Sequence, residues 1–370
     1  MASNNPPRPR AGILEIEPYV AGQSSVPGRN RVIKLSSNET PLGPSPSAIE
    51  AFRAAAADLY SYPEGSGHDL RAALARKYGL EAERIVLGNG SDEILTQLAQ
   101  AYLAPGDESV ATEHSFPIYR IATLAANARS VLVPNQDNCT DIDGLIAALT
   151  PRTRIVFVCS PDNPNGTFVP KAELERLHAA LPSDVLLVVD GAYAEYARAE
   201  DYSPGEFLVR RAENVVMTRT FSKIYGLAAI RIGWAYMPPA IAEVINRIRL
   251  PFNTNRPAQM AALAALGDEA HFKTAYVHNA KWLPWLESEI GKLGVRVVPS
   301  QGNFLLLDFA PFGEGAALAA DGALKNEGLI LRTLVNYGLP NCLRLTIGLE
   351  EANRSVVQAL AKFLSSRKAK

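Results

Sequence analysis

Lys223 is the residue around which any chemistry in this chain has to be built. It stands in Thr218-Arg219-Thr220-Phe221-Ser222-Lys223-Ile224-Tyr225-Gly226, where a run rich in β-formers ends in hydroxyls, an amine and a glycine. Ligands of open α/β sheets bind beyond the carboxyl ends of the strands, so an amine there faces a site and can serve as nucleophile or base. Eight residues on, Arg231 interrupts an apolar stretch running from Leu227 to Trp234, and a charge in such surroundings needs a partner. Val188-Val189-Asp190-Gly191-Ala192-Tyr193 sets a carboxylate at the end of a second apolar run, with a phenol three residues later. Taken singly, each group has a plainer reading: a solvated lysine, a snorkelling arginine, a helix-capping aspartate.

Two loops add to this set. Ser160-Pro161-Asp162-Asn163-Pro164-Asn165-Gly166-Thr167 carries strong turn signals after another strand-like run. Gly88-Asn89-Gly90-Ser91-Asp92-Glu93 opens a helix, so backbone N–H groups at Gly90, Ser91 and Asp92 can cradle a phosphate, although Ser91 alone is equally a helix cap. The third glycine of GxGxxG is missing and no GxxxxGK[ST] occurs, which counts against dinucleotide and P-loop chemistry.

The elements that must position these groups follow from periodicity. Short Val- and Ile-rich runs at 84–87, 109–112, 155–159, 185–190 and 215–220 read as strands, and stretches at 94–103, 142–149 and 174–181 carry apolar residues at helical spacing. Their alternation predicts an α/β fold with a mostly parallel, doubly wound sheet in a large domain over 45–255. After Pro257 the pattern changes: a helix over 268–293, kinked at Pro284, precedes strands at 295–298, 304–309, 329–334 and 342–347 and a helix over 350–364. These form a smaller α+β domain of 256–370, joined by the arm 1–44. The 370 residues fit two such lobes, and a net charge of -1 without basic clustering argues against nucleic acid or membrane surfaces. The first ten residues, MASNNPPRPR, read as a disordered leader rather than a secretory signal, which points to the cytoplasm. Cys139, Cys159 and Cys342, and the histidines 68, 114, 178, 271 and 278, show no metal-ligand spacing; they read as structural or surface groups.

In chain order, the helix start at Gly90, Ser91 and Asp92, the segment Phe116-Pro117-Ile118-Tyr119, Asn163, Asp190 with Tyr193, Thr220 with Ser222 and Lys223, and then Arg231 make a combination none of them makes alone. It resembles the pyridoxal phosphate-dependent aminotransferases of fold type I, class II, and within them the histidinol-phosphate aminotransferase subfamily. The weaker matches Glu17-Pro18-Tyr19-Val20, Leu35-Ser36-Ser37-Asn38-Glu39, Tyr62-Pro63, Gln301-Gly302-Asn303-Phe304 and Leu343-Arg344-Leu345-Thr346-Ile347-Gly348 extend the likeness nearly end to end.

The resemblance implies a role for each residue. Lys223 would bond to the cofactor's aldehyde and later move the substrate proton, and Asp190 would keep a proton on the pyridine nitrogen. Tyr193 and Asn163 would hydrogen-bond the ring oxygen while Tyr119 stacks on the ring. Thr220, Ser222 and Arg231 would join Gly90, Ser91 and Asp92 around the phosphate, a role that accounts for a buried arginine. Tyr62 would complete this cup in the neighbouring subunit of a homodimer. Arg344 would hold the substrate anion, with Tyr19 and Asn38 beside it; Arg332, on a strand joined to that of Arg344 by a short connection, reads from that spacing as a second cation for a dianionic phosphate, and more plainly as the partner of a local acid. Gly191 and Asp162 depart from the family's usual residues and are not expected to touch the cofactor. The implied reaction moves an amino group between histidinol phosphate and 2-oxoglutarate in histidine biosynthesis. An aromatic aminotransferase acting on phenylalanine or tyrosine, a threonine-phosphate decarboxylase relative, and a regulatory protein on an enzyme scaffold remain alternatives.

Overall fold

The computed structural model describes residues 7–29 and 31–368. Its main sheet has seven strands, in the spatial order Ile85–Gly88, Gly233–Tyr236, Val215–Thr220, Leu186–Asp190, Thr153–Cys159, Glu108–Thr112 and Arg129–Val133. All run parallel except Gly233–Tyr236, which opposes both its neighbours. Five of these match the expected strands to within two residues. Gly233–Tyr236 and Arg129–Val133 were not anticipated. The first looks like a continuation of the apolar stretch around Arg231, and the second is an edge strand whose outer residues are exposed, so it lacks the continuous apolar run that marks the interior strands.

Alternate residues of the central strands feed two cores. Val156, Val158, Leu187 and Val189 face one, and Ile155, Phe157, Leu186 and Val188 the other, which is why these strands are apolar throughout rather than at every second position. A second, antiparallel sheet orders Arg332–Thr333, Cys342–Thr346, Phe304–Asp308 and Arg296–Val298. Leu305, Leu307, Leu343 and Leu345 pack there against the helices Glu269–Gly291, Ala316–Asn326 and Glu350–Lys368. The single strand expected at 329–334 is two: Leu329–Ile330 pairs in parallel with Ile33–Lys34, and Arg332–Thr333 joins the antiparallel sheet. That first pairing carries the N-terminal segment back onto the second lobe.

One boundary differs from expectation. Pro257 is a helix-start proline in Arg256–Gly267, capped by the Asn255 side chain, and Ala258, Ala261, Ala262 and Ala265 of that helix belong to the first core. The change of core therefore comes one helix later than residue 255. Pro284 lies inside one continuous helix of 23 residues. Of the expected leader, residues 1–6 lie outside the described residues. Arg10 donates to the Ala125 carbonyl at 2.5 Å and the Gly12 N–H to Asn127 Oδ1 at 2.9 Å, seating the short helix Ala11–Leu14 against Ile118–Ala125. Among the described residues, no helix is long and apolar enough to cross a membrane.

A buried ion pair ties the strand that leads to Lys223 to the turn after Asp190. Arg219 donates to Glu195 at 2.8 Å, with side chains 7% and 3% exposed, and the rings of Tyr78 and Trp234 flank the guanidinium. Gly191 leaves the room: a Cβ there would stand 3.2 Å from Arg219 Cδ. Removing one member of a buried pair strands the other charge. Glu195→Ala should therefore cost about 3–5 kcal/mol of stability, seen as a lower urea midpoint; an unchanged midpoint would show that the pair contributes nothing.

Candidate active site

The carboxyl ends of the parallel strands open into one cavity of about 300 Å³. Asp190 and Thr220 are the last residues of their strands, and Ser91 begins the helix that follows Ile85–Gly88. Arg344 and Tyr337 enter from the second lobe, Tyr19 and Asn38 from the N-terminal segment. The sheet's direction, not any one motif, gathers these groups at one rim.

One end of the cavity is built for an anion. Gly90 has φ +84, and a Cβ there would meet Arg231 Nη2 at 2.4 Å, so glycine both allows the turn and lets the guanidinium cross it. The first N–H groups of Ser91–Tyr102 have no partner within the helix and receive no side-chain cap from Gly90. Arg231, itself left-handed at φ 55, donates to Asp92 at 3.0 Å, to Ser222 Oγ at 3.3 Å and to the Ala228 carbonyl at 3.1 Å. Thr220 Oγ1 donates to Ser222 Oγ at 3.0 Å. The Arg231 side chain is 40% exposed, so it is not the buried cation expected; its head faces the opening.

The other end holds a carboxyl. Asp190 is 2% exposed and accepts from the Tyr119 hydroxyl at 2.7 Å and from Thr218 Oγ1 at 2.9 Å; no ion pair reaches it among the described residues. Burial pushes its pKa up to about 6, while the Tyr119 and Thr218 hydroxyls and the Ala192 amide pull it back. Between the two ends stands Lys223, its Nζ 5.3 Å from the centre of the Tyr193 ring. Burial and then the charge of Arg344 bring its amine down to about 8, against the opposing pull of Asp92 and Glu39. Tyr193 accepts from Asn38 Nδ2 at 2.9 Å, and burial pushes its phenol up.

Arg332 and Arg344 face each other in register across their two strands, as the short connection predicted. Arg344 donates to Asn163 Oδ1 and, at 2.8 Å, to the Ser36 carbonyl; Arg332 donates to the Val20 carbonyl at 2.5 Å. Neither makes an ion pair among the described residues, and the Nε of each is buried without a partner. The local acid considered for Arg332 is therefore not found there. Arg332 does not line the cavity; the rings of Tyr19 and Tyr337, each centred 5.9 Å from its guanidinium, stand beside it.

Two expected residues lie elsewhere. Tyr119 does not line this cavity: its ring stacks on Phe157 at 4.9 Å beneath Asp190, and Phe116 lines the chamber instead. Both belong to the one tetrapeptide Phe116-Pro117-Ile118-Tyr119, and the helix beginning at Ile118 turns residue 119 inward, a detail spacing alone does not give. Tyr62 is 79% exposed, stacked on Phe252 and outside the cavity of its own chain. Tyr337 and Cys159 also line the cavity, and no sequence signal marked either.

The family model for aminotransferases of class I and II matches residues 30–360. The chain belongs to that family. It is similar to the histidinol-phosphate aminotransferase of Nitrobacter hamburgensis, 50% identical over 98% of this chain and 99% of that protein. It is likewise similar to that of Rhodopseudomonas palustris strain BisB18, 51% identical over 97% and 99%. Among solved structures it resembles the histidinol-phosphate aminotransferase of Sinorhizobium meliloti in complex with pyridoxal-5'-phosphate, with a TM-score of 0.85, 31% identity and 92% of each chain covered.

Amino transfer needs an amine that sheds its proton near neutral pH, and Lys223 has that environment. In the ligand-free aminotransferase, labelling of Lys223 by an amine-directed reagent should titrate near pH 8 rather than 10.5. Arg344→Gln should move that titration upward by removing a nearby positive charge. Wild-type labelling that titrates near 10.5, followed by peptide mapping, would contradict the geometry.

Proposed function

We propose that this aminotransferase binds pyridoxal 5'-phosphate and moves an amino group between histidinol phosphate and 2-oxoglutarate, in histidine biosynthesis. The observation that carries the reading is the pair Arg332 and Arg344: two cations opposed on neighbouring strands, with unpartnered Nε atoms and, among the described residues, no acid bridging them, beside an amine-bearing cavity. Two cations held together call for an anion. The similar histidinol-phosphate aminotransferases, about half identical over nearly the whole chain, supply the substrate's name.

The cavity's polar ends fit the cofactor. The Gly90 turn, the helix start and Arg231 suit its phosphate, and Asp190, a buried carboxyl with no cation paired to it among the described residues, suits a protonated ring nitrogen. When bound, pyridoxal phosphate supplies an aldehyde that captures amines and a ring that accepts electron density from the substrate's Cα. The chain's own residues do the rest. Lys223 takes the proton from Cα as a base and returns it, since burial leaves its amine free near pH 8. Asp190 holds the proton at the ring nitrogen, oriented by Tyr119 and Thr218. Tyr193 and Asn163 would hydrogen-bond the cofactor's ring oxygen, and Phe116, which lines the cavity where Tyr119 does not, would pack against the ring. Arg344 anchors a carboxylate of glutamate in one half-reaction and the phosphate of histidinol phosphate in the other, with Tyr19 and Asn38 beside it. That phosphate lies two atoms farther from the amine-bearing carbon than an α-carboxylate does, so it extends toward Arg332.

We further read the protein as a cytoplasmic homodimer of two domains, the first extending from 45 through the helix Arg256–Gly267, the second made of the arm 1–44 and the chain after that helix. Leu59, Tyr60, Tyr62, Leu250 and Phe252 form an exposed apolar patch of the kind a partner copy covers, and Tyr62 would reach the neighbouring phosphate cup from it.

Three measurements test the reading. Borohydride reduction of the holoprotein should fix the cofactor to Lys223, and peptide mapping that finds no modified Lys223 would overturn it. Arg344→Ala should lower kcat/KM for both substrates by about 100-fold or more, the loss typical of a truncated buried charge. Turnover of histidinol phosphate should exceed that of phenylalanine; the reverse order would make this an aromatic aminotransferase, and release of carbon dioxide a decarboxylase.

A further inference from the structure

His114 reads from sequence as a bland residue, yet it spans the two lobes beside the substrate arginines. It sits between the strand Glu108–Thr112 and the helix Ile118–Ala125, half-buried. Its Nδ1 lies 2.8 Å from the backbone carbonyl of Tyr337, in the short turn Val335–Tyr337 of the second lobe. A carbonyl only accepts, so Nδ1 carries the proton. Gly338 makes room for the contact: a Cβ there would stand 3.0 Å from the imidazole Cε1.

The loop bearing His114 is itself pinned. The His114 carbonyl accepts from Asn165 Nδ2 at 2.7 Å, and Asp162, 1% exposed, accepts from that same nitrogen at 2.7 Å and from Ser115 Oγ at 2.6 Å. Asn163, next in the chain, accepts from Arg344. Two loops of the first lobe, tied to each other by Asp162 and Asn165, thus each reach the second, one through Asn163 to Arg344 and the other through His114 to Tyr337. Tyr337 lines the cavity, and its ring centre is 5.9 Å from the guanidinium of Arg332.

We propose that His114 is a positioning residue: its hydrogen bond to the Tyr337 carbonyl, braced by Asp162 through Ser115 and Asn165, latches the second lobe so that Tyr337 and Arg332 meet the phosphate of the longer substrate. This rests on the substrate reading above and deepens it. The α-carboxylate of glutamate stops at Arg344, which has its own tie through Asn163, so the latch discriminates between the two half-reactions. A residue that only supports the fold would affect both alike.

The test is the split of KM between the substrates in the holoenzyme. His114→Ala should raise KM for histidinol phosphate at least fivefold while KM for glutamate changes less than twofold, with the bound-cofactor absorption spectrum unchanged. His114→Phe, which keeps a ring but no donor, should behave like the alanine variant. His114→Asn, whose side-chain N–H₂ lies close to the Nδ1 position, should restore most of the wild-type KM. Equal changes for both substrates, no change for either, or a failure of asparagine to rescue would overturn the latch. If the wild-type enzyme does not turn over histidinol phosphate, the substrate reading falls and the latch with it; if it does and the KM ratio stays constant across the variants, the latch alone falls.

Discussion

Asp190 ends a strand that is buried from its first residue to its last, and two hydroxyls are its only side-chain hydrogen-bond partners among the described residues. A carboxyl in that position is expensive to ionise, and the protein carries it uncompensated by any cation of its own among the described residues. Much of the surrounding architecture follows from that constraint. Tyr119 is drawn under the sheet's rim to donate to it, and Phe116 is left to line the chamber. Thr218 faces it from the next strand, in register with Asp190 itself. On the proposed reading, a protonated ring nitrogen of the cofactor would compensate that cost.

Lys223 presents the complementary problem. Its amine is held in the same cavity, where burial and Arg344 favour the uncharged form. Acid and amine are thus shifted toward neutrality from opposite sides, each chiefly by removal from water. The cationic groups complete the balance. Arg231 is left half-exposed at the mouth with Asp92, while Arg219, which cannot reach the cavity, is neutralised by Glu195 beneath it.

The second lobe supplies what the parallel sheet lacks. A parallel sheet offers strand ends and helix starts, which suit phosphates and strand-end side chains, but no opposed pair of long cations. The antiparallel register of Arg332 with Arg344 provides that pair. The N-terminal segment then closes the space between the lobes: it docks on one through Gly12, pairs with the other through Ile33–Lys34, and lays Tyr19 and Val20 beside Arg332 on the way.

Much of this was legible beforehand because it depends on local signals. Continuous Val- and Ile-rich runs marked the interior strands, and the groups at their ends, Asp190, Thr220 and Lys223, had to share one rim once the strands were parallel. Turn chemistry marked the Gly90 helix start, and a short connection marked the Arg332–Arg344 pair. Tertiary structure alone decided whether Tyr119 or Phe116 faces the cavity, since that turns on where a helix begins. It also decided that the helix after Pro257 packs on the first core, because its alanine face matches another helix distant in sequence. Tyr337 and His114 gave no signal at all, for their positions depend on how two separately built lobes meet, and no local pattern in either lobe encodes the other's surface.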